Sequence, residues 1–273
     1  MMLDEICERV RRATVSILIE VPERKPPVAY GSGALIALGG VEFVLTAGHN
    51  LWNEKLGRRE EIAIGQFPRG VAGHLNPGDG SVHSAWYVQP LPGCVPDPDV
   101  AVVEITNKTI LRSDREPFQE SEISLMGPDA PSRQLVLGGF PDDLVDDDQE
   151  DLDLGEMGKR TPIDFSLSIM LAPSQPEALL PTRHRKGRGV HVLLSLGDLN
   201  TGRTLPETFG MSGGPLVAPD QQGILVGLAT SRFALKTGGY DQWCEPALEA
   251  IKILTQHDSA TVAEAALRIV RRA

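Results

Sequence analysis

The sequence predicts an all-β protein with helices confined to its two ends. Three observations carry this. The apolar residues cluster in short runs rich in Val, Ile and Leu. Glycines and prolines, 28 and 21 of them, punctuate those runs. Helical spacing is limited to residues 2–12 and 243–272. Parallel βαβ units need a long crossover helix between strands, so this layout favours a sandwich or barrel.

At the start, Leu3, Ile6, Cys7 and Val10 recur at helical intervals, which predicts a short helix. The β-branched run TVSILIEV (14–21) follows as a strand. GSGALIAL (31–38) and EFVLTAG (42–48) form two strands joined by Gly39 and Gly40, a hairpin signal. EIAIGQF and VAVVEI (100–105) continue the series. Residues 106–133 are polar without sustained periodicity, so the boundary between two halves falls there. RQLVLGGF, DFSLSIML, GVHVLLSL and GILVGLATSRF are strands of the second half. WCEPALEAIKILTQH (243–257) and TVAEAALRIVRR (261–272) are helical, with Asp258 or Ser259 as candidate cap. These tail helices read as a packed cap or as a docking surface for a partner.

The formal net charge is -11, and apolar residues make up 41% of the chain. A sizeable core is expected, and a nucleic-acid partner is not. Cys7, Cys94 and Cys244 are odd in number and far apart. They imply neither a disulfide framework nor a metal site, and no cofactor is expected. Residues 1–21 lack the features of a signal peptide, and no apolar run approaches a membrane span. The expected setting is therefore soluble, reducing and cytoplasmic. The acidic run at 141–158 lacks the glycine and terminal glutamate of an EF-hand loop and reads as a solvated surface loop. RHRKGRG (183–189) is a small basic patch, also expected on a loop.

Three segments carry candidate chemistry. FVLTAGHN places His49 just after a strand; PDPDVAVVEI places Asp99, with Asp97 as a near competitor, just before one; FGMSGGPLV places Ser212 in a glycine-rich turn. A serine hydroxyl is a poor nucleophile near neutral pH. An imidazole must take its proton and later return it to the leaving group. A carboxylate fixes the imidazole tautomer and stabilises the imidazolium. Backbone N–H groups of Gly210 and Ser212, flanking Met211, are candidates for an oxyanion site, where one donor is typically worth ~3 kcal/mol. GMSGG also satisfies the nucleophile elbow of α/β-hydrolases. Those enzymes require a histidine after the serine, and here only His257 follows.

TAGH ending at His49, DVA starting at Asp99 and GMSGGP around Ser212, in that order, resemble the trypsin-like (chymotrypsin-fold) serine peptidases. GSGALIAL and LVLGGFP resemble the family's strand before the histidine and the opening of its second barrel. The resemblance implies two six-stranded antiparallel β-barrels over residues 14–242 with the site in the cleft between them. The expected division is an N-terminal helix (1–13), a first barrel with His49 and Asp99 (14–110), a linker (111–133), a second barrel with Ser212 (134–242) and C-terminal helices (243–273). It implies a serine endopeptidase acting on protein or peptide substrates. The competing reading is a catalytically silent or partner-gated peptide-binding scaffold.

Asn50 stands where secreted relatives carry a cysteine, so the chain is similar to the disulfide-free cytoplasmic bacterial branch. Relatives of that kind occur beside antiphage or cell-death modules. Met211 stands where zymogen-derived members have the aspartate that pairs with a new N-terminus. The serine loop is then either preformed or ordered by an activating protein partner. The position that reads basic side chains in the trypsin subgroup is Pro206, beside Glu207. Thr230, Ser231 and Arg232 fall where the opposite pocket wall is expected.

Overall fold

The computed structural model describes residues 3–21, 24–53, 57–58, 62–66, 71–73, 85–87, 98–105, 115–125, 134–140, 152–153, 159–160, 166–171, 190–198, 211–219, 222–234 and 240–273. Helix α1 (Leu3–Ala13) has Asp4 and Glu5 in its first turn and Arg11 and Arg12 in its last, which suits the helix dipole. Its apolar face buries Ile6, Val10 and Ala13. Thr14 follows directly and donates its hydroxyl to the Val10 carbonyl at 2.6 Å, satisfying one of the acceptors that a helix end leaves open.

The first half contributes β1 (Thr14–Val21), β2 (Arg24–Leu38), β3 (Val41–Thr46), the single-turn helix α2 (Gly48–Leu51), β4 (Trp52–Asn53), β5 (Gly57–Arg58), β6 (Ile62–Gln66), β7 (Val71–Gly73), β8 (Ala85–Tyr87) and β9 (Ala101–Ile105). The second contributes β10 (Gln134–Gly139), β11 (Leu152–Asp153), β12 (Lys159–Arg160), β13 (Ser166–Leu171), β14 (Val190–Asp198), β15 (Pro215–Ala218), β16 (Ile224–Ala234) and β17 (Tyr240–Pro246). Helices α3 (Ala247–Leu254) and α4 (Ala260–Arg272) follow.

Two antiparallel sheets result. The first has seven strands in the order β7-β6-β1-β2-β3-β9-β8. The second has six, β10-β13-β14-β17-β16-β15, and closes on itself through pairing of Val136 with Val217 and Leu137 with Leu216. The expectation of two six-stranded barrels is thus corrected for the first half. Among the described residues its sheet is open, with a seventh strand, and its edge strands β7 and β8 do not pair with each other. Most of the acidic run lies outside the described residues, apart from the short β11, which pairs with β12. The basic patch at 183–189 lies outside them altogether.

The β2–β3 turn is built as its residues predict. Gly39 and Gly40 have φ of 58° and 82°, the left-handed pair that a type I′ hairpin requires. Gly39 serves a second need. A Cβ there would come within 2.9 Å of the Thr261 and Val262 backbone at the start of α4.

One hydrophobic cluster joins both halves and the helices. Ile6, Val10 and Ala13 of α1 meet Ile36, Phe43 and Val102 of the first sheet, Val136, Val217 and Leu228 of the second, and Val262, Ala265, Ala266 and Ile269 of α4. The tail helices are therefore a packed cap, with their apolar face covered. The tail reading needs one correction: Trp243 to Pro246 belong to β17, and α3 starts after Pro246. Ser259 occupies the N-cap of α4 without a side-chain cap bond. Its own N–H donates to His257 Nδ1 at 2.9 Å.

The polar connection also carries core residues. Phe118 and Ile123 are buried in the shared cluster, and they bridge to Ile36 of the first sheet and Leu225 of the second. Arg9 of α1 pins this segment. Its guanidinium stacks over Phe118 at 4.6 Å. It donates to both Glu122 carboxylate oxygens at 3.3 and 2.9 Å, to the Pro117 carbonyl at 3.0 Å and to the Glu116 carbonyl. Arg115 reciprocates, donating to the Arg11 and Thr14 carbonyls at 2.9 and 3.0 Å. Cys7 is a free thiol. Burial raises the Cys7 pKa, with Asp4 adding to the shift. No helix among the described residues is long and apolar enough to cross a membrane.

Candidate active site

Strand register explains how distant residues meet. β3 and β9 run antiparallel, with Thr46 opposite Ala101. The chain leaving β3 and the chain entering β9 therefore emerge at the same end of the ladder. His49 lies three residues after Thr46, and Asp99 two residues before Ala101. The His49 backbone N–H donates to Asp99 Oδ1 at 2.9 Å, and Nδ1 lies 2.7 Å from Asp99 Oδ2. A carboxylate oxygen accepts, so this contact places a proton on Nδ1 and leaves Nε2 as acceptor. The His49 side chain is 32% exposed and that of Asp99 17%, so the imidazole reaches the surface while the carboxylate sits further back.

Ser212 comes from the other half, on the turn that feeds β15. Met211 accepts the Gly214 N–H at 2.9 Å, closing a four-residue turn, and Gly213 within it has φ of 87°. Two bonds to Ala229 tie the turn to β16: Gly213 N–H donates to its carbonyl, and its N–H donates to Gly214. Ser212 Oγ then lies 2.8 Å from His49 Nε2. It also lies 2.6 Å from the Thr230 carbonyl, a second acceptor for the same proton.

The structure thus brings His49, Asp99 and Ser212 into one hydrogen-bonded chain, Asp99–His49–Ser212, across the two halves. Met211 is buried in the core of the second sheet with Leu135, Leu137, Leu216 and Val226. Gly139 makes room for it, since a Cβ there would approach Met211 to 3.0 Å. Thr230 is buried on β16, where pairing with β17 shifts register between Ala229 and Ser231. Ser231 and Arg232 continue that strand. Their side chains, together with Gly210, Pro206, Glu207 and Asp97, lie outside the described residues. Among the described residues no three His, Cys, Asp or Glu side chains are grouped to hold a metal ion.

Ser32 and Thr46 were not singled out by sequence reasoning, and Asn50 was noted only as standing in place of a cysteine. Ser32 N–H and Asn50 Nδ2 both donate to the Ser212 carbonyl, at 2.7 and 2.8 Å. Thr46 Oγ1 donates to the Ser32 carbonyl at 2.7 Å. The available signal was Gly31-Ser32-Gly33, because paired glycines inside a strand mark close approach of another chain segment.

The fold has a counterpart among solved structures. The chain is similar to the crystal structure of the Rv3671c protease from M. tuberculosis in its active form, with a TM-score of 0.50 and 14% sequence identity. The likeness covers 93% of this chain and 85% of that one. The fold is chymotrypsin-like. No family model matches the chain, and no curated protein matches it in sequence.

Proposed function

We propose that the protein is a serine endopeptidase that hydrolyses peptide bonds of protein substrates through an acyl-enzyme on Ser212. The observation that supports this most is the hydrogen-bonded chain Asp99–His49–Ser212, with contacts of 2.7 and 2.8 Å. His49 Nε2 takes the hydroxyl proton as Ser212 Oγ attacks the substrate carbonyl carbon. Asp99 holds the Nδ1 proton and stabilises the imidazolium. The imidazolium then protonates the leaving amine, and the C–N bond breaks to give an ester on Ser212. Water attacks that ester with His49 again as base, releasing the acid and restoring the hydroxyl.

Gly210 and Ser212, on either side of Met211, are the proposed source of the oxyanion N–H groups. Pro206, Glu207, Thr230, Ser231 and Arg232 are the proposed substrate-binding residues, with the peptide laid as an extra strand beside β16. A substrate N–H that donates to the Thr230 carbonyl competes there with the Ser212 hydroxyl and favours its proton on the His49 side.

A fluorophosphonate probe is expected to label Ser212 in the intact chain and to label nothing in Ser212→Ala, as read by peptide mass after digestion. Modification elsewhere, or none on a folded protein in the presence or absence of candidate partners, would count against the assignment.

Activation by release of a new N-terminus does not suit this arrangement. Met211 is buried among apolar side chains, where an ammonium would lose hydration and gain no ion pair. Helix α1 supplies three residues of the shared core. A chain starting at Thr14 is accordingly expected to lose stability and labelling together. Gain of activity in that truncated chain, measured beside the intact one, would refute this expectation.

A further inference from the structure

We propose that Asn50 is a positioning residue that holds the Ser212 backbone from the opposite half of the molecule, an inference that rests on the serine-peptidase reading for its catalytic consequence. The Asn50 side-chain amide is fully buried and donates twice through Nδ2, to the Ser212 carbonyl and to Thr46 Oγ1, both at 2.8 Å. Its orientation is fixed by its partners. A carbonyl only accepts, and the Thr46 proton is already directed to the Ser32 carbonyl. Oδ1 is buried with no hydrogen-bond partner among the described residues. The side chain is thus held in place at the expense of an unsatisfied acceptor, an arrangement that calls for an explanation beyond stability.

The contacts close a ring. Ser32 N–H meets the Ser212 carbonyl, the Ser32 carbonyl meets Thr46 Oγ1, Thr46 Oγ1 meets Asn50 Nδ2, and Asn50 Nδ2 returns to the Ser212 carbonyl. Two glycines leave space for it. A Cβ on Gly31 would lie 2.3 Å from Asn50 Nδ2. One on Gly213 would lie 2.1 Å from the Ser32 carbonyl and 2.2 Å from Thr46 Oγ1. Asn50 follows His49 on the same helical turn. The turn that carries the base therefore also grips the carbonyl of the nucleophile. The Oγ to Nε2 distance is then set by one local lattice rather than by how two halves happen to dock.

The test compares wild type with Asn50→Leu, Asn50→Asp and Asn50→Ser. Leu and Asp are close in size to Asn and lack the amide donor, whereas Ser keeps one hydroxyl donor. Two readouts are taken: the rate of Ser212 labelling by a fluorophosphonate, and native-state hydrogen exchange at Ser32, Gly213 and Gly214. Asn50→Leu and Asn50→Asp are expected to slow labelling by about 10²-fold, the scale of a displacement near 1 Å. For peptide substrates kcat is expected to fall while KM changes little. Exchange at Ser32 and Gly213 is expected to quicken by roughly tenfold or more, as for loss of an anchoring hydrogen bond, while Val102 in β9 stays protected. Asn50→Ser is expected to recover part of both effects. Wild-type exchange at Ser32 and Gly213 in the Leu and Asp variants would overturn the proposal, whatever the labelling rate. If wild-type Ser212 resists the probe altogether, the peptidase reading fails, and exchange alone decides whether Asn50 anchors the loop. Should Asn50→Leu not fold, the Asp and Ser variants carry the same comparison.

Discussion

Asn at position 99 is expected to lower turnover by about 10⁴-fold, the size of the corresponding change in trypsin, while leaving the fold intact. Asp99 makes two bonds to one residue. Oδ1 accepts the His49 backbone N–H at 2.9 Å, and Oδ2 faces Nδ1 at 2.7 Å. Asp99→Asn keeps an oxygen for the first bond, so the turn after β3 stays anchored. Its amide nitrogen then faces Nδ1 and can only donate. The imidazole must accept there, which moves its proton to Nε2 and presents Ser212 with a donor instead of a base. Thermal unfolding of Asp99→Asn should therefore stay close to wild type while kcat/KM collapses. Asp97→Asn is the matched control and is expected to retain activity. A mild loss in Asp99→Asn, or equal losses in both variants, would remove Asp99 from the proposed mechanism.

The second large effect is expected at Gly213. Two penalties meet there. Its φ of 87° is one that L side chains rarely adopt. In addition, a Cβ would reach within 2.1 Å of the Ser32 carbonyl, 2.2 Å of Thr46 Oγ1 and 2.9 Å of the Ala47 nitrogen. Two of these atoms are backbone and cannot swing aside. Gly40 separates the two penalties. Its φ is 82°, yet nothing stands within 4 Å of a Cβ placed on it. Gly40→Ala should lose only the backbone term, about 1–2 kcal/mol. Gly213→Ala should lose about 3–5 kcal/mol, in the range reserved for core disruption, and Ser212 labelling with it. Chemical denaturation of both variants provides the comparison. Equal losses would mean that the close approach of the two halves at Gly213 is not rigid.

The contrast between those two glycines shows which parts of the molecule can be read from local sequence. Gly39 and Gly40 sit between two alternating runs, so the turn and its strands are legible from neighbours alone. His49 and Ser212 were legible as candidates because small residues stand beside them next to strands, and Asp99 because it directly precedes the VAVV strand. The meeting of His49 with Asp99 follows from one ladder, Thr46 opposite Ala101, while Ser212 arrives on a turn tied to Ala229 of β16. Contacts made over long sequence separation were not legible. Asn50 reaches a carbonyl 162 residues away, and the sequence showed only that it was not a cysteine. Phe118 and Ile123 are single apolar residues in a polar stretch, and periodicity cannot detect isolated anchors. Trp243 and Cys244 fit helical spacing, yet β16 supplies a free edge for them to pair with, so tertiary pairing overrode local pattern. The tail was ambiguous because an apolar helical stripe looks the same whether it meets the protein's own core or another molecule. Here Val262, Ala265, Ala266 and Ile269 fill the chain's own core.

That last contact has a consequence for the order in which the protein is made. The ribosome delivers the Ser212 turn well before α4, yet the core beneath the β2–β3 hairpin closes only when α4 arrives against Gly39. β2 also carries Ser32, whose N–H steadies the Ser212 carbonyl. A nascent chain therefore holds His49, Asp99 and Ser212 before it holds the frame that aligns them. The site is expected to align only after α4 has been translated and has packed against the hairpin.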